Sequence, residues 1–416
     1  MKLFFLNICF FISSSLVWAI PLITDNYIYD SRIKSVVFSP SGKPLAYPIL
    51  ELGSQETLTL SFDELRESVS NFTAEILHCD ANWKISNIFS QEYFEGFTKE
   101  YLEEGTPSQN TLTSYVHYEY TFPKNGRFLL SGNYLLKIYR DNNPDALVIT
   151  RRFLVYEQKL SIVPDIGFSS DVSKRYRLQA VNFNLYPRNF PIQDIHSEIR
   201  IEVLQNFRWH TRKMGLKPIY VYNDHFEYRF DATKDFEGGN EFRLIDLRNI
   251  IQRLGRIRSI QRTPTHTEIV LSEDKPRTSG NYMSEPDMNG SFAIAARGTR
   301  NPDTEADYVW VTIPLTLKEP LQNGEIYLLG AFTDWRILPE YKLTLLEANT
   351  YISKILLKQG VYDYIYVVYD GKKIDEYQLE GSHFETENYY TILVYYKGPV
   401  DRTDRLIALK HINYYD

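Results

Sequence analysis

Cysteine is almost absent from these 416 residues, occurring only as Cys9 and Cys79. Cys9 falls in an N-terminal apolar run read below as a removable leader, so the mature chain keeps one thiol. A single thiol excludes an internal disulfide and a multi-thiolate zinc site. A basic surplus is missing too. The 46 Lys and Arg are outnumbered by 53 Asp and Glu, for a net charge of −7, whereas general nucleic-acid affinity needs a basic footprint. Catalytic signatures are equally scarce. There is no zinc-protease pair of histidines, no phosphate-cradling glycine loop ending in Lys-Ser or Lys-Thr, and no nucleophile elbow. The eight histidines (78, 117, 196, 210, 225, 266, 383 and 411) are scattered. Carboxylates are too numerous for any one acid–base pair to stand out. The expectation is a protein that is not an enzyme and takes no cofactor, metal or small-molecule substrate. The rival is a hydrolase whose catalytic pair hides among the carboxylates.

Long helical patterns are also nearly lacking. The best is "DLRNIIQRL", where Leu247, Ile250, Ile251 and Leu254 sit at helical spacing; the longer stretch "FRLIDLRNIIQRLGRIRSI" reads as either a short helix or two twisted strands. What is abundant is aromatic: 32 Tyr and 24 Phe, residues that suit pleated, half-buried surfaces. Alternation with a period of two recurs in "EIRIEV", "DYVWVTIPLTL", "GNYLLKIYRD", "RYRLQAVNFNLYP" and "NYYTILVYYKG". Turn residues bound each segment. The expected fold class is all-β, as tandem immunoglobulin-like or early-set antiparallel β-sandwich domains.

The first residues, "MKLFFLNICFFISSSLVWAIP", combine Lys2, an apolar run and a small-residue cleavage site at Val17-Trp18-Ala19. They predict a signal peptide over 1–19, and no later apolar run is long enough to cross a membrane as a helix. Composition shifts suggest an N-terminal sandwich over 20–157, a middle β-rich domain over 158–304 and a C-terminal early-set-like sandwich over 305–416. "SIVPDIGFSSDVSKR" opens the middle domain, and a Gly-, Pro-, Ser- and Asp-rich loop over 272–304 closes it.

Three stretches invite a chemical reading. "EILHCDANWKISNIFSQEYFEGF" (75–97) brings His78, Cys79 and Asp80 together. Adjacent strand residues point to opposite faces, so these three converge poorly on one ion. The structural alternative puts Phe72, Ala74 and Ile76 on a core-facing strand ending at a corner, where Asp80 and Asn82 bond turn backbone and Trp83 packs over the edge. In "RNIIQRLGRIRSIQR", Arg248, Arg253, Arg256, Arg258 and Arg262 occur with no acid among them. They form either a solvated face or a patch that docks on an acidic protein surface or anionic headgroups. Near the C-terminus, "GEIYLLGAFTDW" and "LKQGVYDYIYVVYDGKKI" resemble the early-set sandwich of glycogen- and starch-binding modules. That resemblance makes Trp335 a candidate sugar-stacking residue, although Ile365 stands where such modules often carry a sugar-binding lysine.

Taken together, "HCDANW", "EYFEGF", "SQNTLTSYVHYEYTFP", "SGNYLLKIY", "TRRFLVYE", "QNFRW", "GGNEFRLIDLR", "EADYVWV", "LKQGVYDYIYVV", "EGSHFETENYYTILVYY" and "DRLIALKHIN" occur in this order along almost the whole mature chain. In them the sequence resembles the periplasmic plug protein of the type IX secretion system of Bacteroidetes. The resemblance implies a non-enzymatic gating subunit at the inner face of the outer membrane. Its implied partner is a large outer-membrane β-barrel translocon, whose periplasmic opening it closes. It supplies no site residues to carry over. The alternative is a glycan-binding envelope protein acting through the C-terminal sandwich; a general periplasmic scaffold or chaperone is not separable from a plug by sequence.

Overall fold

The structure, a computed structural model, describes residues 21–229, 232–278 and 281–413. The expected signal peptide, with Cys9 in it, lies outside the described residues. Each alternating segment quoted above forms a strand: Ile199–Gln205, Tyr308–Thr316, Gly132–Arg140, Leu178–Tyr186 and Tyr389–Tyr396. Among the described residues the α-helices are single turns, Ser90–Tyr93, Ile195–Glu198 and Pro302–Glu305. The protein is all-β and sandwich-like, built mostly from antiparallel sheets.

Three sandwich units follow from the strand pairing. In the first, one sheet runs Tyr27–Ile28, Leu147–Tyr156, Gly132–Arg140, Phe72–Cys79, Lys99–Tyr101. The facing sheet runs Ile33–Pro40, Leu58–Glu64, Val116–Phe122, Thr106–Pro107. Leu58, Leu60, Phe62, Tyr134, Leu136 and Phe153 fill the space between them. The second unit packs Ser161–Phe168, Leu178–Tyr186, Phe226–Tyr228 and Tyr220–Val221 on Lys213–Met214, Ile199–Gln205, Tyr389–Tyr396 and Arg405–Asn413. The third gathers strands around Gly360–Tyr369 and faces them with the sheet that contains Tyr308–Thr316.

This pairing departs from a division at residue 304. Ile199–Gln205 runs antiparallel to Tyr389–Tyr396, from Ile199 opposite Tyr396 to Gln205 opposite Tyr390. The last strands therefore complete the second unit rather than the third. Conversely, Arg243–Asp246 and Phe292–Ile294 both pair with Gly360–Tyr369. The stretch expected as a loop over 272–304 is tied into the third unit, through a bridge from Asp274 to Leu315 and the strand Phe292–Ile294. Its Asp274 is buried in the third unit, where Arg243, Arg256, Tyr364 and Tyr366 all donate to its carboxylate at 2.6–3.0 Å.

The longer stretch "FRLIDLRNIIQRLGRIRSI" forms two strands, Arg243–Asp246 and Ile257–Arg262, in different sheets, and the helical pattern of "DLRNIIQRL" falls in the connection between them. Leu247 and Ile250 are buried, but Ile251 is 75% exposed, so the four apolar residues share no face. Turn chemistry overrides the periodicity. The Asp246 carboxylate accepts from the Arg248 amide at 3.1 Å, and the Asn249 side chain accepts from the amides of Ile251 and Gln252 at 3.0 and 3.1 Å. Such local bonds compete with a helix.

Candidate functional site: the three-way junction

The stretch around His78 lies where the first unit meets the second. Phe72, Ala74 and Ile76 face the first core, as expected. His78 and Cys79 are both buried. The His78 ring bonds Ser86 Oγ at 2.9 Å and the Ser131 carbonyl at 3.4 Å. Burial lowers the imidazole to about 4 and raises the Cys79 thiol to about 12, so both are neutral packing groups at pH 7. Among the described residues no group of three or more His, Cys, Asp or Glu is placed to hold a metal ion.

Asp80 makes the corner: its Oδ1 accepts from the amides of Asn82 and Lys84, both at 2.9 Å. Asn82 does not bond the turn with its side chain, which instead accepts from Arg200 of the second unit at 2.6 Å. Trp83 does not sit on an edge. It is 1% exposed and meets Trp209 of the second unit edge-on, with ring centroids 4.8 Å apart. The Arg152 guanidinium covers its ring at 4.3 Å. Trp83 shares a core with Leu135 and Leu154 of the first unit and Leu204, Leu393, Tyr395 and Leu406 of the second. The outer faces of two sheets are thus pressed together. For this reason Glu202, on the strand face opposite Ile201 and Val203, is fully buried between Arg200 and Arg212.

The first and third units are joined by a buried ion pair. Lys358 Nζ donates to Asp63 Oδ2 at 2.6 Å, with both side chains 1% exposed. The Tyr308 hydroxyl donates to the same oxygen at 2.7 Å, and His117 Nδ1 lies 2.7 Å from the other. Burial lowers the Lys358 ammonium from its usual range against the pull of Asp63. The Lys358 ammonium also lies 4.2 Å over the Tyr115 ring. A second tie pairs Arg151 with Asp334 at 3.2 Å. Burial pushes the Asp334 carboxyl up against the opposing effect of Arg151.

The second and third units meet at Arg208 and Glu376, both almost fully buried. His210 Nε2 contacts the other Glu376 oxygen at 2.9 Å. Burial disfavours the Glu376 carboxylate, but Arg208 and His210 outweigh it and hold the group down at about 2. Trp335 belongs to this junction. Its ring lies 5.1 Å from the Arg208 guanidinium and meets Phe242 edge-on at 5.8 Å. It is engaged within the protein. All three units line a cavity of about 290 Å³, with Arg151 and Arg152 from the first, His210 from the second and Asp334 and Trp335 from the third.

The five candidate arginines separate. Arg256 is structural, donating to Asp274 at 2.6 Å and to the Tyr364 hydroxyl at 3.0 Å. Arg248 chelates Asp246 through Nε and Nη2 at 2.9 and 2.6 Å. Arg253, Arg258 and Arg262 are exposed, the last two on the edge strand Ile257–Arg262. Two of the five therefore have acceptors within the protein and three are exposed.

Sequence reasoning missed the groups that tie the units together. Asp63 and Lys358 are 295 residues apart and Arg208 and Glu376 are 168 apart, beyond the reach of any local pattern. It also missed three converging carboxyls, Glu241, Asp287 and Asp363. Asp287 accepts from the amides of Phe242 and Asn289 at 2.6 and 2.8 Å, and Asp363 from those of Met288 and Gly290 at 2.5 and 3.2 Å. Glu241 takes a short bond from the Tyr282 hydroxyl. Burial pushes Glu241 and Asp363 up to about 7, with Asp287 adding to the rise in each.

A family model, the type 9 secretion system plug protein 1st domain, matches residues 33–157. A solved structure, that of a hypothetical protein from Parabacteroides merdae ATCC 43184 at 2.30 Å resolution, is similar with a TM-score of 0.89 and 27% identity. The match covers 94% of this chain and 100% of that one. No curated protein matches the chain.

Proposed function

We propose that this protein is the periplasmic plug of a type IX secretion translocon, docking on a large outer-membrane barrel and closing its periplasmic opening until cargo engages. The observation that carries the reading is the match of residues 33–157 to the first domain of that plug family. The junctions support it physically. A steric stopper must hold one shape, and here three sandwiches are fixed to one another by an aromatic core and buried ion pairs rather than strung on linkers. Among the described residues no helix is long and apolar enough to cross a membrane; on this reading the protein meets the barrel through a protein interface. Such an interface is held by a few aromatic and arginine anchors within a polar rim.

The test is recovery of the tagged protein from envelope extracts of its own bacterium in mild detergent. A very large outer-membrane barrel co-purifying at near-equal stoichiometry is the expected result. Recovery of the protein without any barrel, from cells that express the barrel, removes the plug reading.

A further inference from the structure

One cation in the second unit is unlike the ion-paired arginines at the junctions. Arg175 directly follows the helical turn Val172–Lys174. Its guanidinium carbon lies 4.6 Å from the Phe168 ring centroid and 5.5 Å from that of Tyr176. Phe168 is stacked in turn on Phe384, with centroids 4.1 Å apart and 21° between the planes. Arg175 Nε is buried and has no hydrogen-bond partner. No carboxylate among the described residues pairs with this guanidinium. Its neighbours are otherwise disposed: Lys174 pairs with Asp171 at 3.1 Å, and Arg177 with Glu237 at 2.6 Å.

Contact with the rings restrains a guanidinium while leaving its two Nη donors unspent, which prepares them for a carboxylate. Little entropy remains to be lost when the partner arrives. The surroundings suit an anchor. Val172 is 75% exposed, Tyr176 70% and Phe168 48%, enough apolar surface to exclude water around a central charge. The chain carries a net charge of −7, yet Lys174, Arg175 and Arg177 fall within four residues. Two of these are compensated locally, so Arg175 supplies the uncompensated charge, and its complement is negative.

We propose that Arg175, held against the rings of Phe168 and Tyr176, anchors a docking surface for a protein segment that presents an aspartate or glutamate beside an apolar side chain. Resting on the plug reading, that segment belongs to the periplasmic face of the barrel. Apolar contact comes from Val172, Tyr176 and Phe168, and the carboxylate is gripped by the Arg175 fork.

The test places a photo-crosslinking benzoylphenylalanine at Val172 of the full-length protein in its own envelope, alone or combined with Arg175→Glu, and identifies the adducts by mass spectrometry. The expected adduct is an acidic segment of the barrel, with a yield that falls at least about tenfold on charge reversal, as for a hot-spot anchor. Arg253→Glu, a reversal at an exposed arginine of the third unit, leaves the yield unchanged. An adduct with a lipid, no adduct while the barrel still co-purifies, or an adduct insensitive to Arg175→Glu overturns the surface and leaves the plug reading standing. An Arg175-dependent adduct with an acidic segment of another periplasmic protein, and no barrel recovered, supports the surface and removes the plug reading. Thermal melting of the Arg175→Glu protein, matched by the milder Arg175→Gln, separates lost docking from lost folding. Both variants stay folded and melt only slightly below the parent, because Arg175 has ring contacts but no ion pair to lose.

Discussion

Replacing Lys358 with Met tests whether the units are locked by buried charge. Lys358 and Asp63 are each 1% exposed and 2.6 Å apart, so the modest worth of a surface pair, roughly 0–1 kcal/mol, does not apply. Lys358→Met removes the cation and leaves the Asp63 carboxylate buried with two of its three partners, Tyr308 and His117. Stranding a buried charge costs about 3–5 kcal/mol; the two remaining donors place this one near the lower end. In the double variant Asp63→Asn/Lys358→Met no charge is left uncompensated, and a loss within about 1 kcal/mol of the parent is expected. The coupling between the two sites is then at least about 2 kcal/mol. Equilibrium urea unfolding of the parent, both single variants and the double variant measures it, read as the shift in midpoint at constant slope. A Lys358→Met loss below about 1 kcal/mol, or a double-variant loss equal to the sum of the singles, would refute the reasoning.

Trp83→Ala should cost about 3–5 kcal/mol by the same assay, because it empties the core shared by the first and second units; a cost typical of a surface site would show that their contact is loose. Around Glu241 and Asp363, both pushed up to about 7, the folded protein holds protons that the unfolded chain has released above its ordinary carboxyl range. Stability there falls as pH rises from about 4 through about 7. Hydrogen-exchange protection factors of residues 287–290 should therefore be higher at pH 5 than at pH 8, and equal values would contradict the assignment. Arg256→Ala should cost about 2–3 kcal/mol through its lost bonds to buried Asp274. Glu at Arg258 and Arg262 together should leave stability nearly unchanged, each within about 0.5 kcal/mol; barrel binding by that double variant measures whether this exposed edge strand docks at all.

Strand content was legible because alternation is local: Val309, Val311, Ile313, Leu315 and Leu317 stand in a row in the sequence and are all buried in the third unit. Connectivity was not. Nothing in "NYYTILVYYKG" tells that its strand, besides pairing with the neighbouring Arg405–Asn413, pairs on its other side with a strand near residue 200. A proline- and glycine-rich stretch looks like a linker whether it floats or, like Asp274 and Phe292–Ile294, is threaded through a sheet. The stretch at 75–97 was legible as structural, since strand geometry set His78 and Cys79 apart. That Trp83 points into another unit was not, because a lone aromatic at a corner reads the same on an edge or in a junction. The periodicity of "DLRNIIQRL" misled for a definable reason. Four apolar residues at helical spacing weigh less than an Asp and an Asn that bond the amides just ahead of them.

The charged ties between units have a consequence that apolar packing alone lacks. Two apolar faces can slide past one another and exchange contacts at modest cost, so a purely greasy junction permits several docking angles. A buried pair such as Arg208–Glu376, Arg151–Asp334 or Lys358–Asp63 is satisfied at one angle only. Rotation by a few ångströms strands both charges and costs about as much as deleting one partner, roughly 3–5 kcal/mol. Against unfolding, where water solvates both ions, the same pairs contribute little. They therefore act mainly against reorientation of folded units. That selectivity suits a stopper, which must resist deformation at its seat while binding reversibly through a surface elsewhere. It also separates two kinds of variant. On the plug reading, junction substitutions such as Lys358→Met weaken barrel closure by loosening the body, with the docking surface intact. Arg175→Glu weakens docking with the body intact. Pairing the urea midpoint with crosslinking yield at Val172 distinguishes them: the midpoint falls markedly only for the first and the yield collapses only for the second. A midpoint drop for Arg175→Glu as large as that for Lys358→Met would deny the division between body and surface.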